Sequence, residues 1–317
     1  MGRRPKSTSG LNLLVGIDKP AGMTSHDVVA RMRRALGERR IGHAGTLDPL
    51  ATGVMVLGIG QATRLLGLAT SEDKEYLARI AFGRETTTDD AEGQTRREAP
   101  APGQVGELAF AQASMGRLLA MTQQVPPSYS AISVDGVRSY AAARKGEEIA
   151  LEPRPIRVLS ALALGVGVKQ DGTPFWDVAV GVSKGTYVRA LARDLGRELG
   201  SACYLSQLRR TRSGSVCLAQ CASLDEVERD GVQALRPLDP ARVLGLRTRL
   251  LSEQELEVVR NGGAVCCAPL GEVAPEEEVA LVYDGLLRAV ASARRGRLLP
   301  RTVFPDGISG VSDEGLR

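Results

Sequence analysis

One carboxylate in this chain is surrounded by residues that give it little to dissolve into. In RIGHAGTLDPLATGVMVLGIGQATR, residues 40–64, Asp48 is the only acid, and Leu47, Leu50, Val54, Met55, Val56, Leu57 and Ile59 beside it are apolar. A carboxylate that loses water without a partner costs several kcal/mol, so such a group is paired, protonated or at work. Pro49 fixes its own φ and pushes Asp48 towards extended backbone, while Gly42, Gly45 and Gly53 allow tight turns or a close approach. A rigid loop that holds one acid ahead of a hydrophobic strand reads as a site. The bland alternative is an Asp that merely starts a turn before Pro.

A second group lies at a corner far along the chain. Residues 177–182 alternate as a strand, Ser183 to Arg189 turn, and Ala190, Leu191, Leu195 and Leu199 continue as an amphipathic helix. Lys184, Tyr187 and Arg189 therefore cluster where a strand meets a helix, a common place for binding groups. A guanidinium there can keep a buried carboxylate ionised, and Asp48 is the expected partner of Arg189. An exposed arginine at a helix start is the alternative, although the helix dipole disfavours it. Two basic clusters flank these segments: Arg31, Arg33, Arg34, Arg39 and Arg40, and then Arg209, Arg210 and Arg212. Such clusters suit a phosphate backbone, with a solvated helix face as the plainer reading.

The elements that must position these groups follow from spacing. Leu13–Ile17 reads as a short buried strand. Thr24 or Ser25 caps a helix whose packed side carries Val28, Met32, Ala35 and Leu36, and Gly37 stops it. VMVLGIG (54–60) reads as a strand, QATRLLGLAT (61–70) as a short helix, and 74–82 as a strand with Tyr76 and Phe82 on one face. GRETTTDDAEGQ (83–94) reads as a polar loop carrying Asp89 and Asp90, residues 94–112 as a surface connection into a helix, and 139–146 as a short helix. Residues 216–245 read as a helical connection; from about 248 on, LLSEQELEVVRNGG suggests one helix, followed by a β-rich segment, EEVALVYDG then LLRAVASARRG, ending in LLPRTVF. The last dozen residues, rich in Gly, Asp and Ser, read as flexible.

At 317 residues, with 43% hydrophobic and 25% charged residues, the chain has the composition of a soluble globular protein of about two domains. Aromatics make up only 3%, so each carries information. No apolar run approaches the ~20 residues that span a membrane, and the basic start MGRRPKSTSG lacks the hydrophobic part of a signal peptide. Five cysteines without zinc spacing, with only two histidines, imply a reducing cytoplasm and no metal. Gly58 and Gly60 form a GxG without the third glycine of a dinucleotide fingerprint, and no GxxxxGK[ST] occurs, so nucleotide cofactors have no support.

Taken together, GHAGTLDPLATG (42–53), DKPAGMTSHD (18–27), SKGTYVRALARDLG (183–196) and LRRTRSG (208–214) resemble the TruB-type tRNA pseudouridine synthases, which isomerise uridine 55 in the T loop of tRNA. DKEY (73–76), TDDAEG (88–93), QVPPSYSA (124–131) and RPI (154–156) extend the resemblance, in order, over nearly all of residues 15–215. It implies a mixed α/β pseudouridine synthase fold over residues 11–247, with a central mixed or antiparallel sheet flanked by helices and loops. A disordered basic tail (1–10) would precede it and a small PUA-like β-rich RNA-binding domain (248–317) follow it.

The resemblance also implies roles. Asp48 is the catalytic aspartate; His43 helps hold the T loop with its base turned out; Tyr76 stacks on the flipped base; Tyr187 takes part in the proton step at C5; Arg189 is the salt-bridge partner of Asp48. Leu208 walls the base pocket, and Lys19 with Pro20 forms a motif beneath the site. Lys184, Asp90, Arg209 and Arg210 fall with the substrate- and RNA-contacting residues. The isomerisation balances its own atoms, so no cofactor is expected, and attack at C1′ or at C6 both stay open. The implied partner is the tRNA T stem-loop, bound by a cytoplasmic monomer. The alternatives are a noncatalytic RNA-binding or tRNA-folding protein, and a synthase acting on another, guided RNA. Thr87, Ser133 and Val216 depart from the family pattern, at the periphery.

Overall fold

A computed structural model describes residues 9–69, 73–130 and 151–312, together with the backbone of the paired strands 133–134 and 137–138. The helix expected at 139–146 and most of the expected N-terminal tail lie outside the described residues. The chain forms two compact units. One is built from Met1–Pro49, Gly53–Ser71 and Arg212–Arg317, the other from Leu50–Thr52 and Glu72–Thr211.

In the first unit the strand Leu13–Lys19 runs antiparallel to Thr52–Ile59, with Val15 opposite Leu57, and parallel to Cys221–Ser223. Its run of apolar residues has a physical cause, because both faces are covered. Leu13, Val15 and Ile17 pack with Val28, Val29, Met32 and Leu36 of the helix Ser25–Leu36. Leu14 faces the other way and shares a core with Val282, Leu287, Val290, Phe304 and Ile308. Those residues belong to a C-terminal five-stranded sheet ordered Arg247–Leu250, Glu278–Tyr283, Leu286–Arg294, Arg297–Ile308 and Val265–Cys266, with the helix Glu253–Arg260 beside it. This is the β-rich, PUA-like end that the sequence predicts.

Residues 306–312 are held in place, in contrast to the flexible end that their composition suggests, and residues 313–317 lie outside the described residues. Asp306–Ile308 complete the last strand. Beyond them the Ser309 N–H donates to the Asn12 carbonyl at 2.9 Å, and the Ser312 N–H and hydroxyl donate to the Asp239 carboxylate at 2.9 and 2.7 Å. Backbone groups with partners of this kind hold a Gly- and Ser-rich segment in place whatever its composition.

The second unit carries an antiparallel run of strands, Val158–Val168, Pro174–Val182 and Lys74–Phe82, followed in order by Cys203–Ser213. Helices Leu108–Leu119 and Val188–Glu198 pack in the same unit. The scarce aromatics gather in its core. Trp176 is fully buried, edge-on to Phe82 at 4.7 Å and Phe110 at 5.9 Å, with its indole N–H donating to the Val105 carbonyl. The polar loop expected at 83–94 is in fact the turn of a hairpin, with Arg84–Thr86 pairing antiparallel to Thr95–Glu98.

The GxG glycines serve packing. Gly60 sits at φ +61°, where an added Cβ would lie 2.0 Å from the Leu11 carbonyl oxygen; at Gly58 it would lie 2.8 Å from that of Ala62. The Leu11 clash is with backbone and cannot swing aside. Gly60→Ala should therefore lower the unfolding free energy by about 3 kcal/mol, combining left-handed strain with the overlap. Urea titration checks it, and a change below about 1 kcal/mol would count against the geometry.

Candidate active site

Asp48 lies in the loop between the strands Ile41–Ala44 and Thr52–Ile59, which pair with each other, Ala44 opposite Val56. Asp48 is half-buried, while Leu47 and Ala51 beside it are buried. The backbone on both sides of the acid is held. On the C-terminal side the Pro49 carbonyl accepts from the Lys19 Nζ at 3.3 Å and from the Gly22 N–H at 2.9 Å. On the N-terminal side the Ser25 hydroxyl accepts from the Leu47 N–H at 2.9 Å and donates to the Leu47 carbonyl at 3.0 Å.

The stretch that supplies these groups is built to stay put. Lys19 ends the buried strand and is itself 0% exposed, its ammonium also donating to the Pro20 carbonyl at 2.9 Å. Thr24 caps the helix that follows: its hydroxyl accepts from the Asp27 N–H, and the Asp27 carboxylate accepts from the Thr24 N–H. The Thr24 hydroxyl also donates to the Asp27 carboxylate at 2.7 Å, and this bond, followed by that from the Thr24 N–H, holds the Asp27 carboxyl below its ordinary value. Lys19 thus supports the loop from inside and is withdrawn from solvent. His43 lies on the strand that enters the loop, edge-on to His26 with ring centroids 5.5 Å apart, so the chain's two histidines meet.

In the second unit Tyr76 is buried in the middle of its strand, opposite Val180. Tyr187, half-buried, precedes the helix Val188–Glu198, and its peptide is matched by the Gln124 amide: Tyr187 N–H donates to Oε1 at 2.9 Å and Gln124 Nε2 donates to the Tyr187 carbonyl at 3.1 Å. Lys184 is exposed in the turn before it. Leu208 is buried, and Arg209 donates to the Thr52 hydroxyl at 3.2 Å, just beyond the Asp48 loop.

Arg189 is buried, in contrast to the surface position that its place at a helix start allows. It donates to the Thr88 and Tyr129 carbonyls at 2.9 and 3.1 Å and lies 3.4 Å from the Asp90 carboxylate. Asp90 is buried against Arg189 and also accepts from the Thr88 hydroxyl and the Glu92 N–H, so it braces its loop from within. Arg210 is 1% exposed.

Arg189 is the first of three. Arg193 reaches Asp89 at 2.8 Å, and Arg197 reaches Glu85 at 2.6 Å, with Arg97 on the other side of Glu85, also at 2.6 Å. Arginines at i, i+4 and i+8 on one helix thus meet Asp90, Asp89 and Glu85. Burial pushes the Asp89 carboxyl up against the opposing pull of Arg193. Burial also raises Glu85, but there Arg197 and Arg97 more than offset it and hold that carboxyl below its ordinary value. The regular spacing of arginines along VRALARDLGRE, beside the acids of RETTTDD, is the signal that a reading residue by residue passes over.

Among the described residues no group of three or more His, Cys, Asp or Glu side chains is arranged to hold a metal ion, and no helix is long and apolar enough to cross a membrane.

Known proteins resemble this chain along most of its length. The family described as TruB family pseudouridylate synthase (N terminal domain) matches residues 33–188. The tRNA pseudouridine synthase B of Mycobacteroides abscessus is 45% identical over 267 residues, covering 84% of this chain and 87% of the relative. That of Thermobifida fusca is 43% identical over 298 residues, covering 92% and 98%. Among solved structures, a chain of a Cbf5-Nop10-Gar1 complex aligns with a TM-score of 0.64 at 22% identity, covering 94% of this chain and 85% of that one. A chain of an H/ACA RNP bound to a substrate RNA containing 2'-deoxyuridine aligns with a TM-score of 0.65 at 20% identity, covering 96% and 88%. These structures share the fold.

Two measurements test the supports just described. Lys19→Met should lower stability by about 1–3 kcal/mol, because the Pro20 carbonyl loses a donor it cannot replace with water; an unchanged urea midpoint would contradict the buried contact. Glu85 has a depressed carboxyl, so its contribution is complete above the ordinary value of 4.5 and fades as pH falls through the lower folded value. Glu85→Gln should therefore flatten the acid limb of the stability–pH curve below about pH 4.5; an equal slope in both proteins would remove Glu85 from the balance.

Proposed function

From the premise that the chain belongs to the TruB family of pseudouridylate synthases, we propose that it isomerises uridine 55 in the T loop of tRNA to pseudouridine, with Asp48 as the nucleophile. The observation that carries this reading is the loop itself. Asp48 is a half-buried carboxylate whose neighbours Leu47 and Pro49 are both tied through their backbone to the stretch 19–25. A pure RNA binder has no need to immobilise an acid in this way; a nucleophile that must meet one carbon does.

The reaction breaks the bond between N1 and C1′ and forms one between C5 and C1′. The proton on C5 leaves and N1 gains one, so atoms balance without a cofactor. In this reading Asp48 attacks the uridine, at C1′ or at C6. Tyr76 offers a ring face to a base that has left its stack, which offsets part of the few kcal/mol that unstacking costs. Tyr187 serves the proton step at C5. Arg189 keeps the segments of Asp90 and Tyr129 in position. His43 holds the T loop, Leu208 walls the base, and the exposed Lys184 with the partly exposed Arg209 meets phosphates. RNA recognised by shape and phosphate contact suits such a spread of cations. The protein acts in the cytoplasm as a monomer.

Asp48→Asn tests the chemistry. On an unmodified tRNA transcript it should bind within about threefold of wild type yet form pseudouridine at least about 10³-fold more slowly, read by release of tritium from C5 and by mapping the modified position. Product from the variant at near the wild-type rate would remove Asp48 as nucleophile. Binding without product in the wild-type protein would favour the noncatalytic RNA-binding alternative, and product at another position would reassign the substrate.

A further inference from the structure

The hydroxyl of Ser25 is used twice on a single residue. It accepts from the Leu47 N–H at 2.9 Å and donates to the Leu47 carbonyl at 3.0 Å, across 22 residues of chain. Ser25 is 1% exposed and Leu47 3%, so water does not compete for these bonds. A hydroxyl has one proton to give, and this one gives it to the carbonyl whose peptide unit carries the nitrogen of Asp48. The other bond holds the preceding peptide unit. One oxygen therefore fixes both peptide planes that flank Leu47, and the second of these sets the direction in which the Asp48 backbone leaves.

The far side of the acid is closed in a different way. The Pro49 ring limits rotation, and its carbonyl is taken by Lys19 and by the Gly22 N–H. Ser25 in turn is set by the Thr24–Asp27 cap, which fixes the first turn of its helix. Among the described residues, none of the other groups that hold this loop bonds Leu47 from both ends of the residue.

We propose that Ser25 is a positioning residue for the Asp48 carboxylate: it touches no substrate, and it sets the backbone from which the acid reaches the uridine. The inference rests on the reading in which Asp48 is the nucleophile. Its signature is a loss of rate without a loss of affinity, because the groups that would bind RNA are untouched.

Three full-length proteins decide it: wild type, Ser25→Ala and Ser25→Thr, each assayed on an unmodified tRNA transcript under single-turnover conditions with binding measured separately. Ser25→Ala should slow pseudouridine formation about 10–100-fold, as a misplacement of about 1 Å can do, with affinity within about threefold. Ser25→Thr, which keeps the oxygen, should recover most of the rate. Hydrogen exchange gives an independent readout: the Leu47 amide should be protected in wild type and exchange faster in Ser25→Ala. A wild-type rate in Ser25→Ala overturns the proposal, as does a slow variant that Ser25→Thr does not rescue. Should Ser25→Ala fail to fold, an unprotected Leu47 amide in the wild-type protein overturns it alone. No pseudouridine from the wild-type protein instead overturns the reading on which the proposal rests.

Discussion

A loop that enters a protein interior must find partners for its own peptide groups, and that requirement governs the neighbourhood of Asp48. The strands on either side, Ile41–Ala44 and Thr52–Ile59, satisfy each other, but the residues between them cannot use that ladder. Their needs are met by the stretch from Lys19 to Ser25: an ammonium, a backbone N–H and a hydroxyl. Each of these donors comes from a segment that is itself fixed, by the end of a buried strand or by a capped helix. The rigidity of the loop is thus inherited from secondary structure, through three hydrogen-bonding groups.

The second unit solves a related problem with charge. Arg189, Arg193 and Arg197 come from successive turns of one helix, and Asp90, Asp89 and Glu85 come from one hairpin. Removing one member of a buried pair typically costs about 3–5 kcal/mol, because the survivor is left charged and dry. The hairpin cannot lift from the helix without stranding several ions together. Its loop, which also carries the Thr88 carbonyl bound by Arg189, is therefore held to the helix along its length.

What the sequence discloses depends on how local the cause is. The helix Ser25–Leu36, with Thr24 before it and Gly37 in a left-handed conformation after it, follows from spacing and capping alone. The strand Leu13–Lys19 is legible as buried because both of its faces are apolar. That Asp48 is the one acid in the apolar stretch 40–64 is equally plain. The rest turns on pairings between distant residues. Ser25 reads as a helix cap, and nothing nearby shows that its hydroxyl bonds Leu47. Asp90 and Arg210 read as polar surface, and their burial comes from the elements laid over them. The hairpin at 84–98 is hidden because its strands are short and polar, without alternation to mark them. The closing segment reads as flexible because composition is silent about the specific acceptors, the Asn12 carbonyl and Asp239, that secure it.

That closing segment bears on how the unit folds. Leu14 shares its core with Phe304 and Ile308, and the Asn12 carbonyl accepts from the N–H of Ser309. Those partners stand far apart along the sequence, so completing this core means closing a very long loop. Contacts of such separation belong to the kind of topology that folds slowly.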